Sequence, residues 1–252
     1  MQLFDLRTFL IVAIVFVPLE RLFAFHKEQR IFRKEWKTDL LYSFVNGALI
    51  KLGVAVVIIG VSAAARSFVP PGVQTAVSTQ PLWLQFIEIV ILADLGFYLA
   101  HRLFHSVPFL WEIHKVHHSI EQLDWLAAAR VHPIDQILTK AASILPLLVL
   151  GFSEGALAAF ALIYFWHSHL LHSNVNLRIG PLKWFIATPE YHRWHHADDQ
   201  EAYDKNFAGQ LSIIDKLFGT LYMPKNKRPE KYGMGERLPG NYLSHLIYPF
   251  RR

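Results

Sequence analysis

The sequence predicts an all-α fold, an integral membrane helical bundle with a cytoplasmic histidine-rich cap, built as one domain over residues 1–252. Three observations predict it. Hydrophobic residues make up 53% of the chain and charged residues only 18%, too oily for an ordinary soluble domain. Apolar segments recur at residues 8–25, 40–64, 83–100 and 137–171. Of the fourteen histidines, eight fall in three clusters at helical spacings, at the ends of these segments or beyond them. The expected cap therefore comprises residues 101–135 and 172–252. The formal charge of +5 does not indicate nucleic acid, because the basic residues lie in short stretches flanking apolar runs, where a membrane surface is the partner.

The first segment, TFLIVAIVFVPL, reaches the charged pair Glu20 and Arg21 and extends through Leu22, Phe23 and Phe25. No small-residue cleavage site follows, so it reads as an uncleaved helix rather than a signal peptide. Next, Lys27, Arg30, Arg33, Lys34 and Lys37 crowd one short loop, which the positive-inside rule places in the cytoplasm. Residues 40–64 are long enough to cross a hydrocarbon core of roughly 30 Å. Asn46 and Lys51 interrupt them, and Lys51 is expected to snorkel toward the nearer interface. ARSFVPPGVQTAVSTQP, with one Arg and a Pro-Pro turn, reads as an outside loop. Residues 83–100 then run unbroken into His101.

Residues 137–171 are too long for one span, and GFSEG punctuates them at Gly151 and Gly155. Histidine triplets lie on both sides of this stretch. If they share one site the chain must leave and return, so the stretch is a hairpin. After Pro181 no further span is expected; PLKWFIATPEY and NFAGQLSIIDKLFGTLYMP suit helices lying on the membrane face or capping the site. The C-terminal YLSHLIYPFRR reads as an interfacial tail whose His245 is not a ligand.

The stretch HRLFHSVPFLWEIHKVHH, residues 101–118, holds five histidines. His101 and His105 are four apart, so their rings share a helix face. His114, His117 and His118 sit at i, i+3 and i+4, and His192, His195 and His196 repeat that spacing. Imidazole suits iron, zinc, copper and nickel, so the pattern indicates a transition metal without choosing one. Cysteine is absent, which excludes thiolate zinc fingers and iron–sulfur clusters. Eight nitrogen donors exceed the needs of one four- to six-coordinate ion, so two metals are the simpler count. In FWHSHLLHSN, His172 is the best additional ligand, then His169, then His167. Asp94 and Tyr98 lie on the helical stripe of His101 and His105. Asp94 either accepts the second N–H of a metal-bound histidine or pairs with a Lys or Arg elsewhere. His132, alone before Pro133, is structural or supports a ligand from outside the metal shell.

These segments resemble the fatty acid hydroxylase/sterol desaturase superfamily of membrane oxygenases. HRLFH, HKVHH and HRWHH match its three histidine boxes, and DWLAAARVHPID, HSN and KNFAGQLSIIDKLFGT match their flanks. The resemblance implies a non-haem di-iron centre at the cytoplasmic membrane face, with zinc able to replace iron in purified protein. Its ligands would be His101, His105, His114, His117, His118, His192, His195 and His196, with His172 as a further one. It also implies O2 and two electrons from a separate donor protein, used to hydroxylate or desaturate a C–H bond of a lipid, and a bacterial inner membrane as the location. Two rival classes stand beside it. A zinc-binding or metal-handling protein would use the same residues without redox chemistry, but a transporter places ligands near the bilayer midplane. A haem-bearing electron carrier would leave the triplets unexplained.

Overall fold

The computed structural model describes residues 6–238 and 240–251, without the side chains of Ala48, Lys51 and residues 62–66; the snorkelling expected of Lys51 therefore lies outside the described residues. All its regular elements are helical. α1 (Leu6–Leu22) stops earlier than residue 25. The backbone of Phe23 and Phe25 instead pairs with Asn176 and Asn174, and the Glu20 carboxylate accepts from the N–H groups of Trp125 and Asn174. These bonds turn the chain out of the helix and seat the basic loop against the cap. Arg33 is no free loop charge: it is buried between Asp39 and Asp124, 2.6 Å from each.

The second segment is α2 (Trp36–Leu41) and α3 (Gly47–Arg66), joined through a π-helical turn at Tyr42–Asn46. Asn46 occupies that turn, donates to the Val131 carbonyl at 2.6 Å and accepts from the Tyr242 hydroxyl at 2.9 Å. The expected outside loop contains α4 (Pro71–Ser78), started by Pro71, whose fixed φ suits a first helical turn. α5 (Leu82–Ser106) is 25 residues long, about 37 Å, and carries His101 and His105 at its end as part of the same helix. α6 (Pro108–His118) begins two residues later at Pro108.

α7 (Pro133–Leu150) and α8 (Glu154–His172) form the hairpin. Gly151, at φ +83, makes the turn; it lies against Gln74 of α4, and the Gln85 side chain accepts from Ser153 N–H. The hairpin therefore returns beside the start of α5, at the end of the bundle away from the histidines. Gly155 breaks nothing and lies inside α8. Among the described residues α5 and α7 are long and apolar enough to cross a membrane. Leu10, Ile14, Leu52, Ile59, Ile91, Leu99 and Leu162 are exposed apolar side chains on α1, α3, α5 and α8, a belt suited to lipid.

The cap adds α9 (Pro189–His195), α10 (Ser212–Phe218) and α11 (Tyr242–Ile247). Its core gathers Tyr98, Leu171, Tyr191, Trp194, Phe207 and Ile214 under the ends of α5 and α8. The C-terminal segment is more than a surface tail. His245 is buried, its Nδ1 3.1 Å from the Tyr42 hydroxyl, and Tyr242 packs on Tyr42 beside the π-helical turn.

Candidate metal centre

Helix ends bring nine histidines together. His101 and His105 end α5, His114, His117 and His118 end α6, His172 ends α8, and His192, His195 and His196 come from α9 and its final cap. α9 starts with Thr188, whose hydroxyl accepts from Tyr191 N–H at 3.2 Å, followed by Pro189. Buried Arg193, between His192 and His195, donates to the carbonyls of Ser173 and Val175 and lies 4.0 Å over the Phe25 ring. It ties α9 to the chain leaving α8, and burial pushes its pKa down to about 10.

The rings form two groups. His101, His105, His114, His118 and His195 make a five-histidine cluster, and His117, His172, His192 and His196 a four-histidine cluster; within each, ligand nitrogens lie within 4.8 Å of one another. The clusters adjoin, with the rings of His118 and His196 4.7 Å apart. Each H-x-x-H-H triplet is divided. Its i, i+4 pair serves one cluster and its middle histidine the other, because the i+3 position is rotated roughly 100° from its i+4 neighbour.

The donor chemistry shows that this arrangement fits cations. Carbonyl oxygens only accept, so the Nδ1–H groups of His101, His117, His172 and His195 donate to Phe207, Arg130, Ser168 and Lys205 at 2.7–2.9 Å. In a neutral ring this leaves a lone pair on Nε2. Those lone pairs face one another: His117 Nε2 lies 3.4 Å from His172 Nε2, both lacking a proton to share. His114 donates its Nδ1–H to Asp135 at 2.5 Å, so its Nε2, 3.0 Å from that of His101, is in the same position. Nε2 of His105, His118 and His195 is buried without a hydrogen-bond partner. Facing lone pairs and orphaned nitrogens are unfavourable unless a cation sits among them.

The electrostatics keep those lone pairs available. Burial, reinforced by neighbouring histidines, holds His114, His118, His192, His195 and His196 well below the ordinary value of 6.5. Burial lowers His117 to about 4. These rings are neutral at physiological pH, as metal ligation requires. A cavity of about 400 Å³ opens onto the five-histidine cluster; His105, His118 and His195 line it with Trp111, Tyr203 and Met234, and Lys115, Asp204 and Glu236 stand among its walls.

Other sequence candidates lie elsewhere. His169 donates Nδ1–H to Phe165 of its own helix and packs on Phe16, outside both clusters. His167 donates to the Ala187 carbonyl. His132 caps α7, accepting from Ile134 N–H and donating to Leu246. Tyr98 meets Thr220 and Arg102. Asp94 takes neither expected role: it touches no histidine and, among the described residues, pairs with no cation, but accepts from the N–H groups of Gly209, Gln210 and Leu211. Two carboxylates that do meet clustered histidines are Asp135, at His114, and Asp204, 3.2 Å from His105 Nδ1. Asp135 had a signal, an acid in the first turn after His132-Pro133; Asp204 lies in an irregular loop and had none.

Comparison with known proteins bears on the same region. Residues 86–220 match the family described as fatty acid hydroxylase. The chain is 32% identical over 172 residues to the ornithine lipid hydroxylase OlsE of Rhizobium tropici, covering 68% of this chain and 52% of that one. It is 37% identical over 138 residues to the human alkylglycerol monooxygenase, covering 53% and 30%, and 27% identical over 157 residues to the fatty acid hydroxylase ahd1 of Mycosarcoma maydis, covering 59% and 37%. The chain thus spans about half or less of the length of these relatives. No solved structure matches it significantly. Because the match takes in more than half of the chain and every one of the nine clustered histidines, this protein belongs to the fatty acid hydroxylase family.

Proposed function

We propose that the protein is an O2-dependent lipid hydroxylase whose nine clustered histidines hold two iron ions. The observation that carries this reading is the pair of adjoining clusters in which imidazole lone pairs converge without protons to share. When bound, iron supplies the redox chemistry by which O2 and two electrons from a separate donor attack an unactivated C–H bond. The chain's own residues prepare that chemistry. Backbone carbonyls and Asp135 hold the Nδ1–H groups, so every ring so held is locked in one tautomer and orientation. Nine neutral ligands leave the centre cationic. The clusters stand where α5 and α8 end, so a lipid can stay in the bilayer while its reacting segment reaches the cap. The positively charged loop packs on the cap through Gln29, Arg33 and Lys34, which supports a cap facing the cytoplasm of a bacterial inner membrane.

The named relatives act on an ornithine lipid and on alkylglycerols. A lipid with a polar head is therefore the proposed substrate class, and hydroxylation the proposed outcome. The test is metal analysis and Mössbauer spectroscopy of detergent-purified protein from cells grown in iron-57, followed by 18O2 turnover with a chemical reductant. Two irons per chain as a coupled pair, with 18O in a lipid product, are expected. Zinc that persists after iron reconstitution, with no O2 consumption, would replace this reading with metal handling.

A further inference from the structure

Residues 205–211, KNFAGQL, form neither helix nor strand, yet they supply two carbonyls to the five-histidine cluster. Lys205 accepts from His195 Nδ1 at 2.8 Å and Phe207 from His101 Nδ1 at 2.7 Å. Such a segment has no ladder to satisfy its own N–H groups. Two buried carboxylates take five of them in succession. Asp215 accepts from Phe207 and Ala208 at 2.8 and 2.9 Å. Asp94 accepts from Gly209, Gln210 and Leu211 at 2.7, 2.9 and 2.6 Å. Burying two carboxylates is costly, and hydrogen bonds of this number are what hold them in place. Asp94 also lies seven residues before His101 on α5, so one helix both carries the ligand and grips the loop that orients it. The fit is tight at Gly209, where a Cβ would lie 3.1 Å from Asp94 Oδ1 and 3.1 Å from the Phe97 ring.

We infer that Asp94 and Asp215 are positioning residues for the five-histidine site, acting through the 205–211 backbone to fix the tautomer and direction of His101 and His195. The four-histidine cluster takes its carbonyl contacts from Arg130 and Ser168, which lie outside this loop. Carbonyl support for the two clusters thus comes from different segments. This inference rests on both clusters holding metal.

The experiment is anaerobic titration of the detergent-purified full chain with Co2+, following stoichiometry by mass spectrometry and each site by its ligand-field absorption. The variants are Asp94→Asn, Asp215→Asn and Gly209→Ala. An Asn replaces one accepting oxygen by a donor facing N–H groups, while Gly209→Ala keeps both carboxylates and displaces the loop, so it carries the test if the others fail to insert. Wild type should bind two ions per chain. Each variant should bind the first with unchanged affinity and the second about 10- to 100-fold more weakly, with the absorption of the five-histidine site altered. Equal weakening of both sites would show a general structural role and overturn the inference, as would unchanged binding in Gly209→Ala together with either Asn variant. A wild type that binds no metal would remove the metal reading itself, and this inference with it.

Discussion

Asp135→Asn separates the metal site from the fold. The Asp135 carboxylate accepts the His114 Nδ1–H at 2.5 Å, and both side chains are under 5% exposed. No cation meets Asp135 among the described residues, and its side chain contacts one imidazole. An outer partner of a ligating histidine is typically worth 10- to 100-fold in metal affinity, about 1.4–2.7 kcal/mol. Full burial and a single partner place this case near the upper figure. Asn is nearly isosteric, but it removes the charge that makes the imidazole more basic. If its NH2 turns toward the ring, Nδ1 becomes the acceptor and the proton moves to Nε2, where the lone pair is needed. The metal-free protein loses nothing comparable, since a near-isosteric amide keeps a polar partner at the ring. Affinity at the five-histidine site, measured by chelator competition, should fall about 100-fold, while the four-histidine site serves as internal reference and the metal-free thermal midpoint stays level or rises. Affinity within about twofold of wild type, against that expected range, would refute the reasoning.

Further outcomes follow from the same geometry. Asp39→Ala removes a carboxylate from two buried guanidiniums, leaving Arg33 one acidic partner in Asp124 and Arg130 one in Glu35, and it should cost about 3 kcal/mol by denaturant unfolding. Gly96→Ala would press a methyl group onto the Ala142 carbonyl of α7, and denaturant unfolding should show a stability loss of about 1–3 kcal/mol from overpacking, whereas Gly60→Ala, which meets nothing within 4 Å, should be neutral or mildly favourable. The cap histidines titrate below 6.5 when folded, His117 near about 4, so between those values the unfolded chain binds more protons than the metal-free folded one. Stability should therefore be present above pH 6.5 and lost as pH falls toward about 4; a flat profile of unfolding midpoints would contradict this.

Much of the fold was legible because its signals are local. Apolar runs of spanning length, Pro at helix starts, Gly151 at the hairpin turn and the i, i+4 histidine pairs all act over a few residues. Their boundaries moved where distant partners intervened: α1 ends early because Asn174 and Asn176 capture Phe23 and Phe25, some 150 positions away. The same limit governs the site. Spacing singles out the histidines on one helix face, but only packing of α5, α6, α8 and α9 decides that each triplet is divided between two clusters.

Periodicity and side-chain chemistry are carried residue by residue, so the apolar helices and the clustered histidines could be read from the sequence. Tertiary structure alone decided which carbonyl or carboxylate holds each imidazole. It moved Asp94 from an expected histidine partner to an anchor of residues 209–211, buried Arg33 and His245, and left His169 outside both clusters. Those outcomes depend on backbone groups brought together from far apart in the chain, and a backbone carbonyl has no letter in the sequence to announce it.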